Sequence, residues 1–209
     1  KFVREAVQAY PEIYFSRLVI LGEGDSEEIV LPRILRAKGI PVDESAVTVA
    51  PLGGRHVNHF WRLLSALEIP YLTLLDLDVA RYQGGWGRFK YANDQLLAYH
   101  PEDVLPKDHN IPAWNSDKYR VREYPGYIEA FEERGVFFSY PMDLDFAMLL
   151  TFPDEYGVEP NPPSEATIKA VLGDSHFDAE QYDDDERTLF GTYHKRFKLG
   201  SKPATHIDA

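Results

Sequence analysis

The chain has 209 residues, of which 44% are hydrophobic and 27% are charged, so it can bury a core and does not have the composition of a disordered protein. It contains no cysteine, which excludes disulfides and thiolate metal ligands and favours a reducing, cytoplasmic environment, and no apolar run approaches the about 18 residues of a membrane span. The net charge of −12 by itself opposes binding to nucleic-acid phosphates.

The first 80 residues show an alternation of strands and helices. Residues 1–16 are predicted to be the end of a preceding element or a linker, and residues 17–80 a βαβαβ core. The predicted elements are strands at Arg17–Leu21, Ala46–Ala50 and Tyr71–Leu75, and helices from Asp25 or Ser26 to Gly39 and from His56 to Glu68. Asp25 and Glu28 have capping-box spacing. This order predicts a parallel sheet with right-handed crossovers, in which ligands bind beyond the carboxyl ends of the strands.

The rest of the chain divides into two further segments. Residues 81–135 are predicted to be an inserted, mostly helical region. Residues 136–209 are predicted to complete the core and to form C-terminal helices with a basic tail. The predicted elements are helices at Asn93–Ala98, Tyr127–Arg134, Asp143–Leu150 and Glu165–Leu172, a helix start at Tyr182–Glu186, a strand at Val136–Tyr140 and a basic tail at Tyr193–Lys202. The predicted class is α/β, a parallel sheet flanked by helices with an inserted or appended helical region.

Two acidic residues follow the first predicted strand. Glu23 lies in a turn between Gly22 and Gly24, which leave the backbone unhindered. Glu27 lies at the start of the next helix, where it can point back over the strand end. Glu27 could instead only complement the helix dipole. Carboxylates gathered at one place repel one another unless a cation lies among them, so the pattern indicates a divalent-metal site.

Two further pairs of acids follow apolar strands. Asp76 and Asp78 form a DxD motif, and both face one side if the strand pairing continues, with Leu77 in the core. Such oxygen ligands suit Mg²⁺. Asp143 and Asp145 repeat the motif after the Val136–Tyr140 strand. Asp143 could be a helix N-cap or a second metal ligand, and the sequence leaves both interpretations open.

Basic residues cluster outside the acidic motifs. The first cluster comprises Arg81, Arg88 and Lys90, the second Lys118, Arg120 and Arg122, and the third, in the tail, Lys195, Arg196, Lys198 and Lys202. These clusters are either ordinary solvated surface or contacts to a DNA backbone.

The acidic motifs resemble the TOPRIM fold, which topoisomerases, bacterial primases and the nucleases of the OLD (overcoming lysogenisation defect) family share. The stretch from Val19 to Pro32 is similar to the OLD opening VEG-x-(S/T)-E-x-x-x-(L/I)-P, with Gly22 in place of the Val. Pro51-Leu52-Gly53-Gly54 resembles the family's glycine turn, and Tyr71–Asp78 its third strand. The family usually carries an N-terminal ABC-type ATPase, so the resemblance implies that such a region precedes this one in the full-length protein.

The resemblance also implies roles for individual residues. It identifies metal ligands among Glu23, Glu27, Asp76, Asp78, Asp143 and Asp145, without deciding which of the last two ligates. OLD nucleases use a lysine near the end of the domain, which is Lys202 here, or else Lys198. The catalytic residues it implies are Glu23, Asp76, Asp78 and Lys202, and the DNA-binding residues are Arg81, Arg88, Lys90, Lys195, Arg196 and Lys198.

The predicted function is therefore a DNA endonuclease that uses two divalent cations, Mg²⁺ or Mn²⁺. Two alternatives stay open. The first is a non-catalytic module that binds a cation for stability or recruits a partner. The second is a phosphatase with Asp76 as nucleophile and Asp78 as acid, although Ala80 stands where that class usually has Thr or Val.

Overall fold

The structure is a computed structural model, and it describes residues 10–53, 57–106, 110–116, 120–123 and 125–209. The strands in these ranges are Leu18–Gly22 (β1), Val47–Pro51 (β2), Tyr71–Asp76 (β3) and Val136–Ser139 (β4). The α-helices are Asp25–Ala37 (α1), Val42–Ser45 (α2), Val57–Ala66 (α3), Trp86–Tyr99 (α4), Gly126–Glu132 (α5), Leu144–Thr151 (α6), Glu165–Leu172 (α7), Asp184–Thr188 (α8), Phe190–Tyr193 (α9) and Lys202–Asp208 (α10). Short 3₁₀ segments lie at Pro11–Phe15, Pro101–Asp103, Val121–Glu123 and Gly173–Gln181, and a π-helical turn at His194–Lys198.

The strands form a parallel sheet in the order β2-β1-β3-β4. β1 pairs in parallel with both neighbours, and Leu21 is in register with Ala50 of β2 and with Thr73 of β3. The β3–β4 ladder runs the same way, because the Thr73 N–H donates to the Gly135 carbonyl and the Leu77 N–H to the Ser139 carbonyl. The predicted α/β class and the βαβαβ alternation of residues 17–78 are confirmed.

The chain divides into two compact units. One unit comprises residues 1–75, 92–105 and 130–137, and the other residues 76–91, 106–129 and 138–209. Both units are discontinuous along the chain. The segments 17–80, 81–135 and 136–209 remain a prediction about the organisation of the chain.

The first unit buries the apolar side chains of its strands and of α3. Val19, Leu21 and Leu64 are fully buried, as expected for a parallel strand and an amphipathic helix. The Trp61 indole is also buried and donates from Nε1 to the Thr73 hydroxyl at 2.8 Å, so its one polar atom is satisfied.

An aromatic cluster forms the core of the second unit. The ring of Phe146 meets those of Tyr182, Phe190 and Tyr193 edge to face, with centroids 5.7–5.9 Å apart. The Tyr182 hydroxyl donates to the Val79 carbonyl at 2.7 Å and so ties this core to the segment after β3. Burial is the largest cause that raises the pKa of Tyr182 well above its ordinary value.

Several element bounds differ from those that the sequence predicts. α4 begins at Trp86 instead of Asn93, because Trp86, Phe89 and Ala92 form a buried helical face although Gly87 interrupts the propensity. The sequence did not predict α2, and it predicted C-terminal helices without the bounds of α9 and α10. Residues 1–9, the Gly54 of the predicted glycine turn and His56 lie outside the described residues, and α3 begins at Val57.

Candidate metal and phosphate site

The turn after β1 places Glu27 against the strand end. A Cβ added to Gly22 would lie 2.3 Å from the Cβ of Glu27, so only glycine leaves room for that side chain. The Glu27 carboxylate accepts the Gly24 N–H at 2.8 Å, and only 4% of the residue is exposed. Glu23, between the two glycines, is half-buried. The turn therefore presents one partly accessible carboxylate next to one that is fixed by packing and a hydrogen bond.

The predicted capping pair of α1 was wrong by one residue. The helix begins at Asp25, so Gly24 is the N-cap, and Glu27 rather than Glu28 caps the backbone. Gly24 has no side chain to complete the box, so only the carboxylate half of the motif is present. Glu27 consequently has a structural role at the helix start, whatever else it binds.

The DxD motif spans the end of β3 and the bend that follows it. Asp76 is the last residue of β3 and is half-buried, and Leu77 is fully buried as predicted. Asp78 has a φ of 52°, which ends the regular strand, and its N–H donates to the Met142 carbonyl at 2.7 Å. Gly84 packs against this bend, because an added Cβ would lie 1.8 Å from the Asp78 carbonyl oxygen. Asp76 and Asp78 are therefore held in different backbone conformations.

Two arginines hold the carboxylate of Asp78. Arg81 donates to Oδ1 at 2.8 Å, and Arg88 donates to Oδ2 through Nη2 and also through Nε at 3.1 Å. Burial would raise the pKa of Asp78, but the charges and hydrogen bonds of the two arginines outweigh it and lower the pKa below its ordinary value. Asp78 is thus an ionised, doubly paired group.

Asp143 caps α6 and also holds Arg81. Its Oδ1 accepts the Phe146 N–H at 2.9 Å. Its Oδ2 accepts from Arg81 at 3.0 Å and from the Tyr193 hydroxyl at 2.5 Å. Burial, followed by the Asp143 charge, raises the pKa of Tyr193 far above its ordinary value, so this phenol stays a donor. The N-cap interpretation of Asp143 is confirmed.

Asp145 lies between a lysine and a histidine of α10. Its Oδ2 lies 2.5 Å from Nζ of Lys202, and its Oδ1 accepts from Nε2 of His206 at 2.8 Å. Nδ1 of His206 lies 2.8 Å from the Tyr156 hydroxyl. Asp145, His206 and Tyr156 are buried, whereas 45% of the Lys202 side chain is exposed. The contact with Asp145 therefore holds the amine of Lys202, although the lysine side chain is partly exposed.

The two candidate lysines have different surroundings. Burial would lower the pKa of Lys202, but the carboxylates of Asp145, Asp143 and Asp76 raise it above its ordinary value. The pKa of Lys198 is lowered, first by burial and then by the charge of Arg81. Lys202 is thus the lysine that sits in the field of three predicted site acids, all in the second unit.

The predicted DNA-binding residues fall into two groups. Arg81 and Arg88 have the internal partners described above, and Arg81 donates in addition to the Val171 carbonyl and the Tyr193 hydroxyl. Lys90, Lys195 and Lys198 are exposed, and Arg196 is half-buried against Gly157.

Sequence reasoning missed several participants in these contacts. They are Tyr156, Tyr193 and His206, and a group of possible ligand atoms from His100, Glu102 and Asp103 that lie within 4.8 Å of one another in the first unit. The signal for His206 was its position four residues after Lys202, one helical turn away on the same face. None of the helices in the described ranges is both long and apolar enough to cross a membrane.

Comparison with known proteins agrees with the fold and the motifs. Residues 14–78 match the family model described as Overcoming lysogenization defect protein-like, TOPRIM domain. No curated protein matches the sequence. The solved C-terminal region of the Burkholderia pseudomallei OLD protein superposes with a TM-score of 0.52 at 22% identity, covering 93% of this chain and 89% of that one.

A second solved structure is similar over most of the chain. The C-terminal region of the Xanthomonas campestris pv. campestris OLD protein, phased with platinum, gives a TM-score of 0.45 at 20% identity and covers 95% of this chain and 92% of that one. The fold is similar to that of the C-terminal region of the Burkholderia OLD protein, and residues 14–78 match the OLD-like TOPRIM model.

Proposed function

We propose that the chain is a divalent-metal-dependent DNA endonuclease. The observation that carries the proposal is the half-exposed Lys202 in the field of Asp145, Asp143 and Asp76, within a chain whose residues 14–78 match the OLD-like TOPRIM model. A positively charged side chain held beside carboxylates is an arrangement suited to phosphoryl transfer. In that reaction, positioning and charge stabilisation provide most of the catalysis.

We assign Glu23, Glu27 and Asp76 to the cations. All three offer only carboxylate oxygens, which suit Mg²⁺ and Mn²⁺, and the chain has no thiolate that would attract softer metals. Mg²⁺ typically uses one or two protein carboxylates and keeps several waters, so each predicted ion needs few protein ligands. When bound, the cations would activate a water molecule and stabilise the charge that develops on the scissile phosphate.

The partners of the other three acids lead us to revise their proposed role. The sequence predicted Asp78 and either Asp143 or Asp145 as direct ligands. Each of the three has both carboxylate oxygens engaged by an N–H, O–H or cationic donor. A metal would have to displace those donors, so we assign these acids to the positioning of Arg81, Arg88 and Lys202.

The contacts and exposure of the basic residues lead us to assign them different roles. Lys202 would stabilise charge on the scissile phosphate, because it is partly exposed and held by Asp145. The exposed Lys90, Lys195 and Lys198, with Arg196, would contact the DNA backbone. Arg81 and Arg88 would instead keep the bend after β3 in place.

The contacts of Asp78 weigh against the phosphatase alternative. A general acid must carry a proton near neutral pH. The two arginines lower the pKa of Asp78, so it is ionised there. The non-catalytic alternative makes a separate prediction, namely stabilisation by a metal without cleavage.

A plasmid-nicking assay tests the proposal. In Mg²⁺ or Mn²⁺ the full chain should convert supercoiled plasmid to the nicked form, and it should lose this activity in EDTA. Glu23→Ala and Asp76→Ala should abolish cleavage, and Lys202→Ala should reduce it by about 10²-fold, the usual cost of one charge-stabilising group. Asp208→Ala and Lys169→Ala are the matched controls, at exposed positions that we place outside the site. Cleavage that survives the first two substitutions would refute the assignment.

A further inference from the structure

The contacts of α10 connect a buried histidine to the proposed catalytic lysine. Lys202 and His206 lie one turn apart on this helix, and both reach the same carboxylate, that of Asp145. Lys202 binds Oδ2 and His206 binds Oδ1, so the two residues fix the carboxylate from opposite oxygens. The two contacts together restrict the rotation of the Asp145 side chain.

His206 lies in the interior, where it contacts both a carboxylate and aromatic rings. Its side chain is fully buried, so it does not meet DNA or solvent. Its ring packs against the rings of Tyr156 and Phe197, with centroids 5.7 and 5.1 Å away. Its two nitrogens are its polar atoms, and Nε2 contacts Asp145 while Nδ1 contacts the Tyr156 hydroxyl.

Hydrogen-bond balance determines which proton the ring carries. An ionised carboxylate can only accept, so Nε2 of His206 must carry a hydrogen. A neutral ring then has a bare Nδ1, which accepts from the Tyr156 hydroxyl. Tyr156 thus stabilises the tautomer that can donate to Asp145, as outer partners do for histidines in other functional sites.

We propose that His206 is a positioning residue for Lys202: it orients the Asp145 carboxylate that holds the lysine amine, and Tyr156 fixes the tautomer that allows this. The inference rests on the proposed function insofar as it assigns Lys202 to catalysis. The proposal that His206 orders the Lys202 amine does not depend on catalysis, so it applies to the metal-free protein as well.

Two substitutions of similar size separate positioning from simple structural support. In His206→Gln the side-chain amide can still donate to Asp145, because it reaches the place of Nε2. In His206→Asn the amide reaches only the place of Nδ1, so the contact with Asp145 is lost. A residue that merely fills the core would be affected similarly by both changes.

The first measurement uses the metal-free full chain. The NMR order parameter of the Lys202 ammonium group, assigned through its absence in Lys202→Arg, should fall in His206→Asn and stay near the wild-type value in His206→Gln. The ¹⁵N signals of His206 should show the Nε2–H tautomer in the wild type and a mixture in Tyr156→Phe. An unchanged Lys202 order parameter in His206→Asn would overturn the inference.

The second measurement is plasmid cleavage with Mg²⁺. We expect kcat to fall by about 10–100-fold in His206→Asn with KM for DNA unchanged, because misplacement of a catalytic group by about 1 Å costs up to 10² in rate. His206→Gln should stay within about threefold of the wild type, and equal losses in the two variants would contradict the proposal. If His206→Asn does not fold, Tyr156→Phe takes its place. A loss of kcat smaller than that expected for His206→Asn would then support the proposal, and an unchanged kcat would overturn it.

The two measurements also distinguish this inference from the proposed function. A wild-type protein that does not cleave DNA refutes the nuclease, while the order parameter still decides whether His206 positions Lys202. An active wild type with unaltered Lys202 mobility in His206→Asn refutes the positioning role alone.

Discussion

At the scale of single residues, the molecule shows how a carboxylate in a metal-binding motif can be committed to other partners. Asp78 stands in the DxD motif, but Arg81 and Arg88 hold its two oxygens in a buried place. Removing one partner of a buried ion pair leaves an uncompensated charge, whereas a surface pair contributes little.

Replacement of Asp78 by Asn should therefore lower the free energy of unfolding by about 3 kcal/mol at neutral pH. Because the pKa of Asp78 is lowered in the folded state, its stabilising effect is present above the ordinary pKa of about 3.9 and disappears as the pH falls through the folded value. Urea titrations between pH 7 and pH 3 should show the difference between wild type and variant shrinking only below about pH 4.

The control for this titration is Asp208→Asn, at an exposed acid of α10. It should change stability by less than about 0.5 kcal/mol, as surface substitutions usually do. Equal urea midpoints for Asp78→Asn and the wild type at pH 7 would contradict the assignment of the ion pairs.

Gly22 and Gly24 offer a second comparison between neighbouring residues. Gly22→Ala places a Cβ 2.3 Å from the Cβ of Glu27 and should cost about 1–3 kcal/mol by overpacking, with loss of Mg²⁺-dependent cleavage as Glu27 is displaced. Gly24→Ala approaches only the tip of Glu27, at 3.9 Å, and should cost no more than about 1 kcal/mol. Thermal unfolding and plasmid nicking measure both, and equal effects would show that the Gly22 contact is unimportant.

At the scale of elements, helix ends carry much of the site. The N-cap of α6 is Asp143, which also holds Arg81 and Tyr193. The N-cap of α7 is Ser164, which is exposed and contacts neighbouring residues of the chain. The two caps have the same backbone role, so a comparison between them isolates the contribution of the ion pair.

Ser164→Ala should cost about 1 kcal/mol, the usual value for the loss of an N-cap. Asp143→Ala should cost about 3 kcal/mol or more, because it also leaves Arg81 with one carboxylate fewer in a buried place. Asp143→Asn should recover about 1 kcal/mol of that loss, since its amide oxygen can still accept the Phe146 N–H. Chemical denaturation gives all three values, and similar losses for Asp143→Ala and Ser164→Ala would refute the coupling.

At the scale of the whole molecule, the proposed cations should stabilise the folded chain. A ligand at one hundred times its Kd adds about 2.7 kcal/mol, and for a chain of this size each kcal/mol raises Tm by about 2–4 °C. Mn²⁺ or Mg²⁺ should therefore raise Tm by about 5–10 °C relative to EDTA. Glu23→Gln and Asp76→Asn should abolish the shift and Asp208→Asn should retain it, as measured by calorimetry.

This measurement also separates the two functions that remain open. A shift in Tm together with nicking supports the endonuclease. A shift in Tm without cleavage supports the metal-stabilised module. If no metal shifts Tm, the cation binding that both functions require is refuted.

The sequence by itself determined the alternation of strands and helices over residues 17–78, the parallel sheet, and the acids that follow β1 and β3. These follow from local periodicity and from strand-end positions, which are properties of short stretches of chain. Only the tertiary structure decided the partners: Arg81 and Arg88 for Asp78, Tyr193 for Asp143, and His206 for Asp145. Those partners are 3 to 61 residues away along the chain, and a salt bridge depends on distance and burial in space, which no spacing in the sequence fixes.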